Sequence, residues 1–229
     1  AETVCIFPGQ KSVVIEKRSS GSKSPLAAGL PAYSEAMEGY YRFEIVADDR
    51  TAGRSAKVLR IAAADSYRYG YKIWLDTQTA MPLKSQLRSA DDSMLLEEVM
   101  FADIRLQEEV GEDLVSSAYD TEGFSKMMPD NDKVVDAEAS EILWNADDLP
   151  VAFKLSDVRF EYMADAVEPR LHLIYTDGLA SVSVFVDQAG PNQTEGSATM
   201  GATHAFTVMV EDYMVTAVGQ VPLETVQKI

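Results

Sequence analysis

Five strand-like runs follow one another at 40–47, 55–63, 67–76, 81–88 and 94–106, with only a few residues between them. The separators DDRTAG, AADS, DTQTA and SADDS are rich in turn formers. Parallel neighbours need a crossover of a dozen or more residues, so strands linked this tightly can pair only in the antiparallel sense. With the hairpin pattern of Thr3–Phe7, Pro8-Gly9 and Ser12–Lys17, residues 1–110 read as a curved antiparallel meander of about seven strands. Pro31 and Gly39 bracket a short helix within it, and Met94–Val99 also fits a helix.

Residues 67–87 carry the strongest tension in the chain. Tyr67, Tyr69, Tyr71, Ile73 and Leu75 share one face by the period-two rule, while Trp74 points to the other. A half-buried strand alternates apolar with polar, so a Trp on the far side needs its own cover. A helix, a second domain or a ligand could each supply it. A Trp74 packed wholly into protein would remove the best local support for a ligand.

Charge divides the chain unevenly. The net charge is −17, and residues 1–110 hold 14 Lys/Arg against 16 Asp/Glu, while residues 111–229 hold 6 against 21. Such an acidic second half repels nucleic-acid backbones and anionic membranes. Cys5 has no second cysteine to pair with, and His172 and His204 do not make a zinc site. No apolar run reaches the ~20 residues of a membrane-spanning helix. Since Thr3 already opens a hairpin, elements are expected to precede Ala1 in the full protein.

Residues 111–140 are acidic and aperiodic and read as a linker between a domain at 1–110 and a smaller one at 141–229. The second domain offers strand patterns at 155–163, 170–176, 179–188, 203–210 and 213–219. Asp177-Gly178 is its sharpest hairpin signal, Glu211-Asp212 makes a second tight join, and Pro222 opens a final helix. The expected fold class is therefore α+β, mostly β.

No catalytic set emerges, and no cofactor is called for. The P-loop, the dinucleotide fingerprint and the G-x-S-x-G elbow are absent. His172 and His204 sit in strand patterns, Glu97-Glu98 and Asp147-Asp148 point apart on a strand, and Asp130, Asp132 and Asp136 lack the Gly and Glu of a calcium loop. Apolar surface is what remains. Trp74, Phe43, Met81, Leu83 and Phe101 are the choices for lining an apolar ligand cavity, with plain core packing as the bland alternative.

At several blocks the chain resembles the RseB/MucB family. They are DRTAGR (49–54), YRYGYKIWLDT (67–77) with MPLKS (81–85), YTDGLASVSVFV (175–186), VTAVGQVPLETVQKI (215–229) and the weaker W-x-x-x-x-L-P-x-x-F at Trp144–Phe153. The resemblance implies a half-barrel like the lipoprotein carriers LolA and LolB, closed by helices, followed by a small partner-binding domain. It implies a periplasmic negative regulator of the sigma-E/AlgU envelope-stress pathway. Such a protein binds the periplasmic domain of a membrane-bound anti-sigma factor (RseA/MucA-like) and shields it from site-1 proteolysis. Lipopolysaccharide or other acylated molecules loosen that grip. Asp177, Gly178, Leu179 and Ser181 are chosen for the partner surface, with a simple well-formed hairpin as the alternative. The chain departs from the family pattern in LPVAF (149–153), where LPxGF is usual, and in its acidic second half. A LolA-type lipoprotein or lipid carrier is the rival function, a hydrolase a distant third, nucleic acid is excluded, and homo-oligomerisation is left open.

Overall fold

The computed structural model describes residues 2–17, 33–105, 111, 119–127, 134–136, 142–162, 169–190 and 193–229. The strands in these residues form three sheets, and none closes into a barrel.

β1 (Glu2–Phe7) and β2 (Ser12–Lys17) form the expected antiparallel hairpin around a 3-10 turn at Pro8–Gln10. The meander follows as β3 (Tyr41–Thr51), β4 (Arg54–Ala63), β5 (Gly70–Asp76), β6 (Pro82–Arg88) and β7 (Leu95–Met100), all antiparallel and paired in chain order. Met94–Val99 is thus mostly strand. The β3–β4 turn places Ala52 at φ 50° and Gly53 at φ 74°, the two positive angles of a tight hairpin turn.

The seven-strand meander is corrected to five. The first hairpin stands in a separate sheet, where β8 (Ser125–Met127) pairs with β2 in parallel. The physical reason lies in the connections. Short links force neighbour pairing only from Tyr41 onward, whereas residues 18–40 are long enough to release the hairpin from the sheet. Two short strands fall within 111–140, for β9 (Val134–Asp136) pairs with β10 (Lys154–Glu161). Of the expected helix at 31–39, Glu35–Gly39 is a 3-10 turn, and Pro31 lies outside the described residues, as do Ser19–Pro25, Asp130 and Asp132.

The remaining strands are β11 (Arg170–Thr176), β12 (Ser181–Gln188), β13 (Gly196–Met200), β14 (Thr203–Val210) and β15 (Tyr213–Gly219), followed by α1 (Leu223–Lys228). They build a seven-stranded sheet ordered β13-β14-β15-β12-β11-β10-β9. Leu171, Leu173 and Tyr175 alternate along β11 and Val182, Val184 and Val186 along β12, and all six are buried. Val226 of α1 and Phe153 cover that face. At Gly219, which pairs with Val182 of β12, an added Cβ would lie 2.6 Å from the Ser181 carbonyl oxygen, so a side chain fits there only if the two strands shift apart.

The central strand of the first sheet is buried on both faces. Ile73 packs with Tyr41, Ile61, Met37, Tyr40 and Leu179, so its face is covered by the 3-10 turn and by a residue of the second half. Trp74 packs with Ala56, Val58 and Leu83 beneath Phe101 and Ile104, which lie just after β7.

Candidate functional site at the junction of the two halves

The loop Asp177–Ala180 joins β11 to β12. It has four residues rather than two, because Asp177 organises it: Oδ1 accepts from the Leu179 and Ala180 amides at 2.9 and 2.8 Å, and Gly178 adopts φ 101°. Having formed its own turn, Asp177 turns its second oxygen to the first half. Oδ2 accepts from Arg68 Nε at 2.6 Å and from the Tyr41 hydroxyl at 3.1 Å. The Tyr40 hydroxyl donates to the Asp177 carbonyl oxygen at 3.0 Å.

Arg68 and Asp177 both have side chains 0% exposed. Arg68 also donates to Asp65 and to the Val151 carbonyl, and its guanidinium lies over the rings of Tyr40, Phe153 and Tyr41 at 4.9, 5.1 and 5.8 Å. A charge taken out of water needs this many partners to be tolerated. Arginine is suited to the task, because its planar fork spreads several donors while its faces stack on aromatics. Burial, and then the nearby Asp177 charge, push the Tyr41 phenol far above its ordinary value, so it stays a donor. Burial likewise pushes Tyr71 up to about 12.

Further contacts tie the same junction. The Thr225 hydroxyl donates to the Tyr67 carbonyl at 2.7 Å, Gln220 donates to Glu97 at 2.7 Å, and His204 Nε2 meets the Tyr69 hydroxyl at 3.1 Å. His172 instead contacts Glu161 at 2.9 Å and stacks on Phe185. Both histidines are therefore committed to neighbouring elements. Among the described residues no cluster of His, Cys, Asp and Glu could hold a metal ion, and no helix is long and apolar enough to cross a membrane.

The residues singled out from the sequence fall in three places. Trp74, Leu83 and Phe101 meet in one cluster; Trp74 is 8% exposed, donates from Nε1 to Asp49 at 2.7 Å and lies under Lys84 at 4.7 Å. Its far side is thus covered by protein. Phe43 packs on the opposite face with Tyr41 and Ile73, and Met81 sits half-buried at the β5–β6 turn. Asp177 and Leu179 are buried at the junction, whereas Gly178 and Ser181 are exposed. Sequence reasoning missed Arg68. The available signal was a lone cation between Tyr67 and Tyr69 in an otherwise aromatic stretch.

Residues 1–119 match the model of the MucB/RseB N-terminal domain, and residues 138–229 that of the MucB/RseB C-terminal domain. The sigma factor AlgU regulatory protein MucB of Pseudomonas aeruginosa is 29% identical over 198 residues, which are 84% of this chain and 60% of that protein. The sigma-E factor regulatory protein RseB of Escherichia coli is 27% identical over 194 residues, 84% of this chain and 59% of that protein. The chain therefore spans about 60% of the length of these relatives. Among solved structures, MucB in complex with MucA(peri) superposes with a TM-score of 0.67 at 27% identity, covering 90% of this chain and 71% of that one. A crystal structure of MucB superposes with a TM-score of 0.56 at 28% identity, covering 84% and 62%.

Proposed function

Because the chain belongs to the MucB/RseB family, we propose that it regulates an extracytoplasmic sigma factor from the periplasm, by holding the periplasmic region of a membrane-bound anti-sigma factor. The observation that carries this reading is the likeness over 90% of the chain to MucB bound to MucA(peri). Both halves take part in that likeness, as expected of a function that needs both. The bound segment is shielded from site-1 proteolysis while it is held, and amphiphiles such as lipopolysaccharide release it.

The junction supplies the physical link between holding and release. A ligand shifts an equilibrium only by the difference in its affinity for two states. Here the two states are the halves locked through Arg68 and Asp177, and the halves parted. We assign the locked arrangement to the partner-holding state, a reading supported by the likeness of 90% of the chain to MucB bound to MucA(peri). An amphiphile that favours the parted arrangement then lowers affinity for the anti-sigma factor. Catalysis has no place in this scheme, and the commitment of His172 and His204 to their neighbours supports leaving it out.

The test is a pull-down with the periplasmic segment of the cognate anti-sigma factor, with and without lipopolysaccharide. Capture that falls when lipopolysaccharide is added is the expected result. Failure of capture in both conditions would sink the regulatory reading, and capture indifferent to every amphiphile would remove the release mechanism. A pure lipid carrier would bind the amphiphile and ignore the segment.

A further inference from the structure

The inner face of the second sheet is not filled by its own side chains. Between β11, β12, β14 and β15 on one side and α1 with Trp144–Ala146 on the other lies a cavity of about 260 Å³. Its walls include Leu173, Val184, Val186, Phe206, Val215 and Ile229. Packed interiors leave few voids larger than a water molecule, and each void forfeits the dispersion contacts of its lining. Most of the walls are apolar, with Asn145, Gln227 and Lys228 toward the open side. An enclosed cavity of about 150 Å³ lined by Leu, Ile and Phe takes up small apolar molecules. This larger one is suited to a hydrocarbon chain.

The rim adds a charge. Lys228, in the last turn of α1, lines the cavity and pairs with Asp148, whose side chain is 81% exposed. A pair held at the solvent boundary contributes little and is readily exchanged. The site is therefore apolar at its depth and carries at its mouth a lysine neutralised by an exposed carboxylate, so an anionic head gains a counter-charge there only by displacing Asp148. We propose that this cavity binds one acyl chain of an anionic amphiphile, with Lys228 exchanging Asp148 for the head group. The inference rests on the amphiphile-release reading above and places the ligand in the second half, away from Trp74.

The lid of the cavity is also a tie across the junction. Thr225 of α1 donates to the Tyr67 carbonyl, Glu224 accepts from Ser66 at 3.3 Å, and Lys228 Nζ lies 5.7 Å from the centre of the Tyr67 ring. A chain that displaces α1 strains these contacts, so ligand entry is coupled to the arrangement of the halves.

The experiment titrates the full chain with laurate, using a Trp74→Phe background so that fluorescence reports Trp144 at the cavity wall. Laurate is expected to bind with one equivalent and to change that fluorescence. Val208→Phe, which fills the cavity, should weaken laurate by at least about tenfold, the scale on which pockets discriminate by size. Lys228→Glu should weaken laurate by about threefold, as loss of an exposed charge pair does, and leave dodecanol unchanged. Circular dichroism and the urea midpoint show whether each variant is folded. No laurate binding to the wild type, or unchanged binding to a folded Val208→Phe variant, overturns the cavity assignment. If lipopolysaccharide still releases the anti-sigma segment in that case, the regulatory reading survives with its ligand elsewhere. If the segment never binds but laurate does, the regulatory reading fails and the cavity stands.

Discussion

Removing either charge of the Arg68–Asp177 pair should destabilise the protein and loosen one half from the other. The pair is wholly buried, and breaking such a pair from one side costs about 3–5 kcal/mol, because a charge is left without compensation. The surroundings rank the variants. Asp177→Asn keeps an oxygen for the Leu179 and Ala180 amides, and Arg68 retains Asp65 and the Val151 carbonyl, so the cost falls near the lower limit, about 3 kcal/mol. Either change takes the Oδ2 acceptor from Arg68 Nε and the Tyr41 hydroxyl, but Asp177→Ala also strips the Leu179 and Ala180 amides of theirs, which moves the cost to about 5 kcal/mol or beyond. Against a typical total of about 5–15 kcal/mol, either loss is large. Arg68→Met combined with Asp177→Asn should cost clearly less than the two single changes together, because neither charge is then stranded.

Urea unfolding is the assay, and the two tryptophans make it specific. Trp74 lies in the first sheet and Trp144 beside the second, so Trp144→Phe and Trp74→Phe backgrounds report one half each. Coincident transitions are expected in the parent protein, and separated ones once the pair is broken. If the single changes cost less than about 1 kcal/mol, the range of an exposed pair, and the probes stay coincident, then the junction is not held by this pair.

Three further outcomes follow from local geometry. Gly219→Ala drives a Cβ against the Ser181 backbone oxygen and should lower the urea-derived stability by about 1–3 kcal/mol, whereas a neutral result would mean that β12 and β15 can move apart. Tyr71 holds its proton to about 12 in the folded state against about 10 when unfolded, so stability present below pH 10 is lost at about 1.4 kcal/mol per pH unit between these values. Tyr71→Phe should make the slope shallower by about that amount, leaving the part due to Tyr41, and an unchanged slope would contradict the burial argument. The Arg54 guanidinium, helped by the Thr79 and Gln78 amides, holds the Asp76 carboxyl well below the usual carboxylate range. Its contribution is therefore present above about pH 4 and lost as acid protonates it, so Asp76→Asn should lower the melting temperature at pH 7 and narrow the gap to wild type in acid.

Some elements declare themselves within a few residues and others do not. β11, β14 and β15 match their sequence patterns end to end, because alternation and turn formers encode a half-buried strand locally. β8 and β9, at three residues each, are too short to show a period, and β13 is an exposed edge strand with one large apolar residue. All three exist because a neighbouring strand offers free backbone groups, which is a property of the assembled sheet. The first hairpin shows the same division: its pairing was legible, but the sheet it joins depends on β8, more than a hundred residues away.

By itself, then, the sequence determines the strand pairs linked by tight turns, the mostly β class and the family, since each rests on residues close together in the chain or on ordered motif blocks. Tertiary structure alone decides what covers each face of those strands. Ile73 and Trp74 are adjacent residues with opposite faces, and nothing local says that Leu179 closes one while Phe101 and Ile104 close the other. Arg68 and Asp177 are 109 positions apart, and each alone reads as an ordinary surface charge. They become a buried pair only when two sheets meet and exclude water, because desolvation depends on the whole surroundings rather than on the residue that carries the charge.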